Sequence, residues 1–403
     1  MNNLQKRVMI TSVTPIAGGV VTMTEFIVKL LKKHGFEPVI AFYEPYSYFP
    51  ELSVPTYKLL KMKPPSKVTR ITYGNCEAYA CGAWLPELEF THYLATSLWK
   101  EIMDSCFAHV MVSGNILAST PYWQTKRPFL AWVATDWESD RENRVKKNFS
   151  RSRKLLDTCV NGPIIKWMEK KLIGTGNILT LSQYTAKSLY ALYKTTEMFS
   201  VLPMPIDTDK FEFCTKNTIV GRIGFTGRFD DPRKNIGLLI EAIFLIKKMG
   251  VKISVYLIGA EQTDEIKQQL IKLNLESDFN ILPQLSRAEL IPYLQTFDIF
   301  VLPSYQEGLC ISALEAMSCG VPVISTYCGG PEEFVINHVT GELVNFDANN
   351  MANTVVKIIQ NRSLRAKLSE GARKLVEDKY SQKFAEQIFM TAFNDTFTNL
   401  SGS

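Results

Sequence analysis

Histidine is scarce in this chain, and long apolar runs are missing. Only four histidines (His34, His92, His109, His338) occur among 403 residues, each in an apolar or turn context that assigns it a structural place. No window reaches the roughly 18 uninterrupted apolar residues of a spanning helix, so no transmembrane anchor is expected. The N-terminal MNNLQKRVMITSV enters a strand-like run without the apolar core and small-residue cleavage site of a secretory leader, which points to a cytoplasmic protein. The eight cysteines (76, 81, 106, 159, 214, 310, 319, 328) are too dispersed for a disulfide framework and read as reduced thiols. Cys76 and Cys81 lack a second pair or a histidine cluster to complete a zinc site.

What is present is the composition of a folded soluble protein, with 46% apolar and 21% charged residues. The length suits two domains of ordinary size. The net charge of +5 hides an asymmetry. Residues 1–200 hold 25 Lys and Arg against 16 Asp and Glu, and residues 201–403 hold 20 against 24. Within the basic half, Arg141 to Lys171 holds ten cations and three acids, with Val145, Phe149, Leu156 and Val160 spaced as an apolar stripe. This stretch is either a solvated helix or a face for an anionic membrane surface. No nucleic-acid partner is expected.

Apolar runs alternate with helical patterns in both halves, which predicts parallel sheets covered by helices on both faces. VMITSV, EPVIAFY, HVMVSG, FLAWVATD and NILTLS read as strands of the first half. RIGFTG, KISVYLIG, FNILPQL, DIFVLPS and VPVIST read as strands of the second. Between them, SVLPMPIDTDKFEF (200–213) reads as a linker. The block from about 45 to 90, rich in Tyr, Pro and Gly, reads as an inserted loop and hairpin. The chain thus divides into a first domain over 1–204, a second over 205–383 and a C-terminal helix over 384–403 that packs back on the first. Two doubly wound α/β domains facing a cleft are the expected architecture.

Two stretches carry chemistry. In RIGFTGRFDDPRKNIGLL a strand ends at Gly227, and Arg228 and Lys234 precede a helix, where free N–H groups and the helix dipole favour an anion. Asp230 and Asp231 offer local neutralisation of the same cations. In LPSYQEGLCISALEAMSCGVPVIS, Glu307 and Gly308 lie in a loop and Glu315 in the following helix. Eight positions place the carboxylates at most about 12 Å apart if helical. That is beyond the spacing of a glycosidase pair, but it suits two hydroxyl-bearing rings joined by a diphosphate.

GRFDDPRKN followed by EGLCISALEAMSCGVPVIS resembles the donor-binding half of the family 4 retaining glycosyltransferases, which have the two-domain GT-B fold. The family pattern is Gly-Arg, five residues, Lys, then Glu, seven residues, Glu-Ala-Met; Arg228, Lys234, Glu307 and Glu315 match it. PMPIDTDKF, Gly18-Gly19 and NHVTGELV extend the likeness over most of the chain except the inserted block. The resemblance implies a nucleoside diphosphate sugar as donor, UDP rather than GDP, and an acceptor that is a glycan, a lipid or a small molecule. Arg228 and Lys234 would hold the diphosphate, Glu315 the ribose, and Glu307 with the backbone of Gly308 and Leu309 the sugar. Gly18 and Gly19 would let the first domain's backbone approach that sugar. No cofactor and no metal is implied, because the two cations neutralise the leaving group. The chain departs from the family pattern twice. Asp136, in VATDW, stands where many members have a histidine, and EGLC replaces Glu-Gly-Phe-Gly, so Leu309 and Cys310 reshape the sugar pocket. The alternatives are a nucleotide-sugar epimerase of the same fold and a non-catalytic nucleotide-sugar-binding protein.

Overall fold

The computed structural model of the chain describes residues 6–15, 19–58, 69–73, 75–138, 150–194 and 199–397. Two compact units emerge: Met1–Leu202 with Glu386–Ser403, and Pro203–Ala385.

The first unit is built on an eight-stranded sheet. Its strands are β1 (Arg7–Ser12), β2 (Glu37–Tyr43), β3 (Thr69–Tyr73), β4 (Cys76–Cys81), β5 (Ala108–Ser113), β6 (Leu130–Val133), β7 (Asn177–Thr180) and β8 (Ser200–Val201), in the order 3-4-2-1-5-6-7-8. All neighbours run parallel except β3, which pairs antiparallel with β4 and closes the edge as a hairpin. The central strands read as continuous apolar runs because helices cover both faces, and Val8, Met9, Ile10, Val110 and Val112 are fully buried. Helix α1 (Gly19–Lys33) buries Met23, Ile27, Leu30 and Leu31. It stops where Gly35 takes φ +81°, a left-handed conformation that spares glycine the Cβ clash. Cys76 and Cys81 lie five positions apart on β4 and therefore on opposite faces of the strand, so they cannot share a metal.

The basic stretch contributes α2 (Arg151–Leu156), a π turn (Asp157–Asn161) and α3 (Gly162–Ile173). Its first part, residues 141–149, lies outside the described residues, and with it Val145 and Phe149. Leu156 and Val160 are half-buried, whereas Leu155 and Trp167 are 66% and 54% exposed. Among the described residues of this stretch, Leu155 and Trp167 are thus the large apolar groups turned outward. Helix α4 (Gln183–Tyr193) follows β7, and β8 occupies the first residues of the segment read as a linker.

The C-terminal helix Gln382–Phe397 packs on the first unit. Phe393 lies 5.2 Å from Phe36 and 6.3 Å from Phe107 between ring centroids. Glu386 pairs with Lys33 at 2.6 Å and with His34 at 2.9 Å.

The second unit repeats the design with β9 (Arg222–Thr226), β10 (Ser254–Ile258), β11 (Phe279–Leu282), β12 (Ile299–Leu302), β13 (Val323–Thr326) and β14 (Gly341–Val344), all parallel, in the order 11-10-9-12-13-14. Its helices include α5 (Ile236–Lys248), α6 (Arg287–Leu294) and α7 (Ile311–Ser318). The strand order reverses between β9 and β12, the switch point at which open α/β sheets leave a crevice beyond their carboxyl ends. The sixth strand, GELV, was not anticipated: four residues with an internal Glu342 give neither an apolar run nor a visible alternation.

All six tryptophans (84, 99, 123, 132, 137, 167) belong to the first unit, so their fluorescence follows that unit alone. Truncating the buried Phe393 to Ala removes the ring that Phe36 and Phe107 pack against. It is expected to lower the stability seen by tryptophan fluorescence in urea by about 3–5 kcal/mol.

Candidate functional site

The loops leaving β9 and β12 are joined across the switch point. Tyr305 N donates to Arg233 O at 2.8 Å, and Asn235 Nδ2 donates to Pro303 O at 3.1 Å. Asn235 has φ +50°, a left-handed turn that asparagine tolerates better than most residues, and it opens α5. These bonds bring Lys234 to Glu307: Nζ lies 2.6 Å from Oε1, with both side chains largely buried. Ser304 Oγ donates to the same carboxylate oxygen at 2.6 Å. Burial opposes the charge on Lys234, but the Glu307 carboxylate more than offsets it, and the ammonium pKa moves up. Lys234 is therefore a fixed cation across the physiological range.

The neighbouring cations are disposed differently. Arg233 is neutralised locally by Asp231, which it meets at 2.6 Å through Nη2, and Asp231 also accepts from the Arg233 N–H. Burial acts against the Asp231 carboxylate, yet Arg233 prevails and holds its pKa near 2. Arg228 stands out into solvent, 3.7 Å from Asp231. Of the three cations at the mouth of α5, Arg233 is thus structural. Lys234 ends a short 3-10 turn (Pro232–Lys234) rather than starting the helix itself.

The second loop is tied to the end of β13. Glu307 N donates to Cys328 O at 2.7 Å and Gly330 N to Glu307 O at 2.9 Å. A Cβ on Gly330 would stand 2.1 Å from Gly308 O, so the Gly329-Gly330 turn is a close backbone approach that shapes the Glu307 loop. Gly308 itself faces open space, and Leu309 is buried. Cys310 takes φ +68° immediately before α7. Its thiol is pushed up to about 12 by burial, then by Glu307. Gly227 and Gly259, at the ends of β9 and β10, make a similar approach: a Cβ on Gly259 would meet Gly227 O at 2.6 Å.

Glu315 lies on α7, 6% exposed, and burial raises its pKa to about 7 against the opposing pull of Arg287, whose Nε is 3.4 Å away. Arg287 escaped sequence reasoning. The signal available was the SRAEL capping box, which marks a helix start directly beyond β11 and hence at the same sheet edge. Asp207 and Asp209, an Asp-x-Asp spacing also passed over, sit in a turn where Asp207 binds the backbone N–H and the Nζ of Lys210.

The first-unit candidates lie at the ends of its strands. Gly19 opens α1 beyond β1, and Gly18 lies outside the described residues. Asp136 follows β6, is 1% exposed, and accepts from Ser188 Oγ at 2.7 Å. Near it the buried Glu169 takes hydrogen bonds from the Tyr193 hydroxyl and from Trp137 N, and burial lifts its pKa to about 7. The histidines have structural partners. His92 stacks on Tyr43 at 4.0 Å, His109 Nε2 lies 3.4 Å from Met103 O, and burial lowers both to about 4. His34 and His338 pair with Glu386 and Glu342. Among the described residues no cluster of three or more His, Cys, Asp or Glu side chains is placed to hold a metal.

Known structures share this fold. A glycosyltransferase from Rickettsia africae superposes with a TM-score of 0.72 at 18% identity, covering 99% of this chain and 100% of its own. Anabaena HepE in complex with UDP superposes with a TM-score of 0.71 at 14% identity, covering 96% and 100%. The fold is GT-B. Residues 212–375, within the second unit, match the family model of the glycosyl transferases group 1. A capsular polysaccharide biosynthesis glycosyltransferase, CapM of Staphylococcus aureus, is 28% identical over 173 residues, 43% of this chain and 45% of CapM. The chain spans about half the length of the curated relatives it matches.

The glycine contacts make a paired test. Gly330→Ala is expected to cost about 1–3 kcal/mol in urea unfolding because the clash is with backbone. Gly308→Ala, in open space, is expected to stay within about 0.5 kcal/mol of the parent.

Proposed function

We propose that the protein is a family 4 retaining glycosyltransferase that moves a sugar from a nucleoside diphosphate, UDP in preference to GDP, to an acceptor hydroxyl. The observation that carries this reading is the Lys234–Glu307 pair at the switch point of a group 1 domain, with Glu315 on the helix that follows. A diphosphate offers Lys234 a stronger anion than one carboxylate, and the exposed Arg228 is free to reach the same group. Glu307, still held by Ser304, then accepts hydrogen bonds from the sugar hydroxyls, and Glu315 accepts from the ribose. In the reaction the bond from the anomeric carbon to the diphosphate oxygen breaks, and a bond to the acceptor oxygen forms on the same face. The acceptor proton passes to the departing diphosphate. Charge grows on that diphosphate as it leaves, so cations already in place lower the barrier more than they strengthen ground-state binding. The two cations supply this charge, and the reading therefore includes no metal. Gly18, Gly19, Gly308 and Leu309 enter as backbone contacts to the donor and Asp136 in place of the family histidine, all through the resemblance.

The acceptor in this reading is a glycan or a lipid-linked molecule met at an anionic membrane surface. Charge complementarity supports the surface: α2 and α3 expose Arg151, Lys154, Lys170 and Lys171 beside Leu155 and Trp167. A cation near such a surface contributes about 1 kcal/mol, and salt screens it. No helix among the described residues is long and apolar enough to cross a membrane.

Lys234→Ala and Arg228→Ala are each expected to lower turnover by roughly 10²-fold or more, read as free UDP or GDP released from a donor panel with acceptors present. A melt of each variant separates this from unfolding. Nucleotide release that needs no acceptor, with isomerised sugar, would favour the epimerase, and binding without release the non-catalytic protein. For the membrane, co-sedimentation with anionic vesicles at low salt is expected, with loss at high salt, with neutral vesicles, and on replacing Arg151, Lys154, Lys170 and Lys171 by Ser.

A further inference from the structure

Glu315 is a carboxylate with an unusual shortage of partners. It is 6% exposed on α7, and among the described residues its carboxylate meets no hydrogen-bond donor and one cation, Arg287. Neighbouring ionisable groups do not substitute for that cation. Cys319, one turn further on, is a buried thiol raised to about 12. Arg373 is engaged with the carbonyls of Thr208, Phe211 and Ser318. Lys234 is engaged with Glu307.

Arg287 is equally singular from its own side. It occupies the first position of α6, where the positive end of the helix dipole disfavours a cation. The helix start is already satisfied by the reciprocal bonds of Ser286 and Glu289, with Ser286 N reaching Glu289 at 2.9 Å. The one ion pair of Arg287 among the described residues is with Glu315, on a different element 28 positions away. Helix stability thus gives no account of an arginine here, whereas a buried carboxylate that must carry charge does.

We propose that Arg287 is a positioning residue that keeps the Glu315 carboxylate ionised and oriented to accept the ribose hydroxyls of the nucleotide. The proposal rests on the functional reading above. A neutral carboxyl accepts weakly and must turn its proton away, whereas a carboxylate accepts from two vicinal hydroxyls at once. Burial alone favours the neutral acid, and an opposite charge within reach restores the ionised form. The sign follows directly. Glu315 is ionised above about pH 7, so nucleotide affinity rises as pH passes upward through that value. Without Arg287 the ionisation, and the rise in affinity, move to higher pH. More than half of the Arg287 side chain is exposed, so solvent screens the pair and the displacement is about one pH unit, at the low end for an opposite charge.

The test is calorimetric titration of the full chain with UDP and with GDP between pH 6 and 9, for the parent, Arg287→Gln, Arg287→Lys and Glu315→Gln. Comparison with the parent cancels the titration of the nucleotide phosphate. Arg287→Gln is expected to bind up to tenfold more weakly at pH 7 and to recover by pH 9. Arg287→Lys should restore most of the parent profile, and Glu315→Gln should bind weakly with no component at pH 7. A profile for Arg287→Gln that superposes on the parent, or that is lowered by one factor at every pH, overturns the proposal. Failure of the parent to bind either nucleotide overturns the functional reading as well, so the two failures are told apart. Circular dichroism melts establish that the Arg287 variants are folded.

Discussion

The ion pair between Lys234 and Glu307 is the contact on which the arrangement of the second unit's sheet edge depends. It spans the point where strand order reverses, so its partners arrive from oppositely progressing halves of one sheet, 73 positions apart. Two buried charges at 2.6 Å are stable only together, since removing either leaves the other desolvated and unpaired. The hydrogen bonds from Tyr305 N and from Asn235 Nδ2 hold the two loops together, and Gly330 lets the β13 turn close upon the Glu307 loop. On the function proposed above, the donor diphosphate takes the place of Glu307 beside Lys234.

The two glutamates of the motif have opposite electrostatic settings. Glu307 sits against the Lys234 ammonium and the Ser304 hydroxyl. Glu315 is buried and meets one guanidinium, that of the largely exposed Arg287, at 3.4 Å. On the function proposed above, these identical side chains eight positions apart serve different duties, Glu307 toward the group that approaches with Lys234 and Glu315 toward the ribose.

Much of this was legible in the sequence because parallel sheets buried on both faces write themselves as apolar runs. Ten of the strands were visible as such, as were the glycine that ends α1 and the carboxylates and cations of the motif. The rest was illegible for identifiable reasons. GELV is too short for a period, and β8 is two residues inside a proline-rich segment. That Arg233 belongs to Asp231 while Lys234 belongs to Glu307 depends on the left-handed turn at Asn235 and on a loop from another strand, neither of which spacing can encode. The pairing of Arg287 was missed because its partner, Glu315, lies on a different helix. On its own helix it is one basic residue in a solvated turn.

The path of the chain has a consequence for biosynthesis. The first unit is completed by residues beyond 385, while 203–385 form a separate unit that is made in between. At about 5–20 residues per second the ribosome takes roughly 9–37 s to traverse that stretch. Throughout that interval the surface around Phe36 and Phe107 lacks the aromatic cover of Phe393, whereas the second unit has all its strands as soon as it emerges. The domain encoded first is thus the one finished last, and a nascent chain with an apolar face awaiting its own terminus is the species most in need of protection by a chaperone.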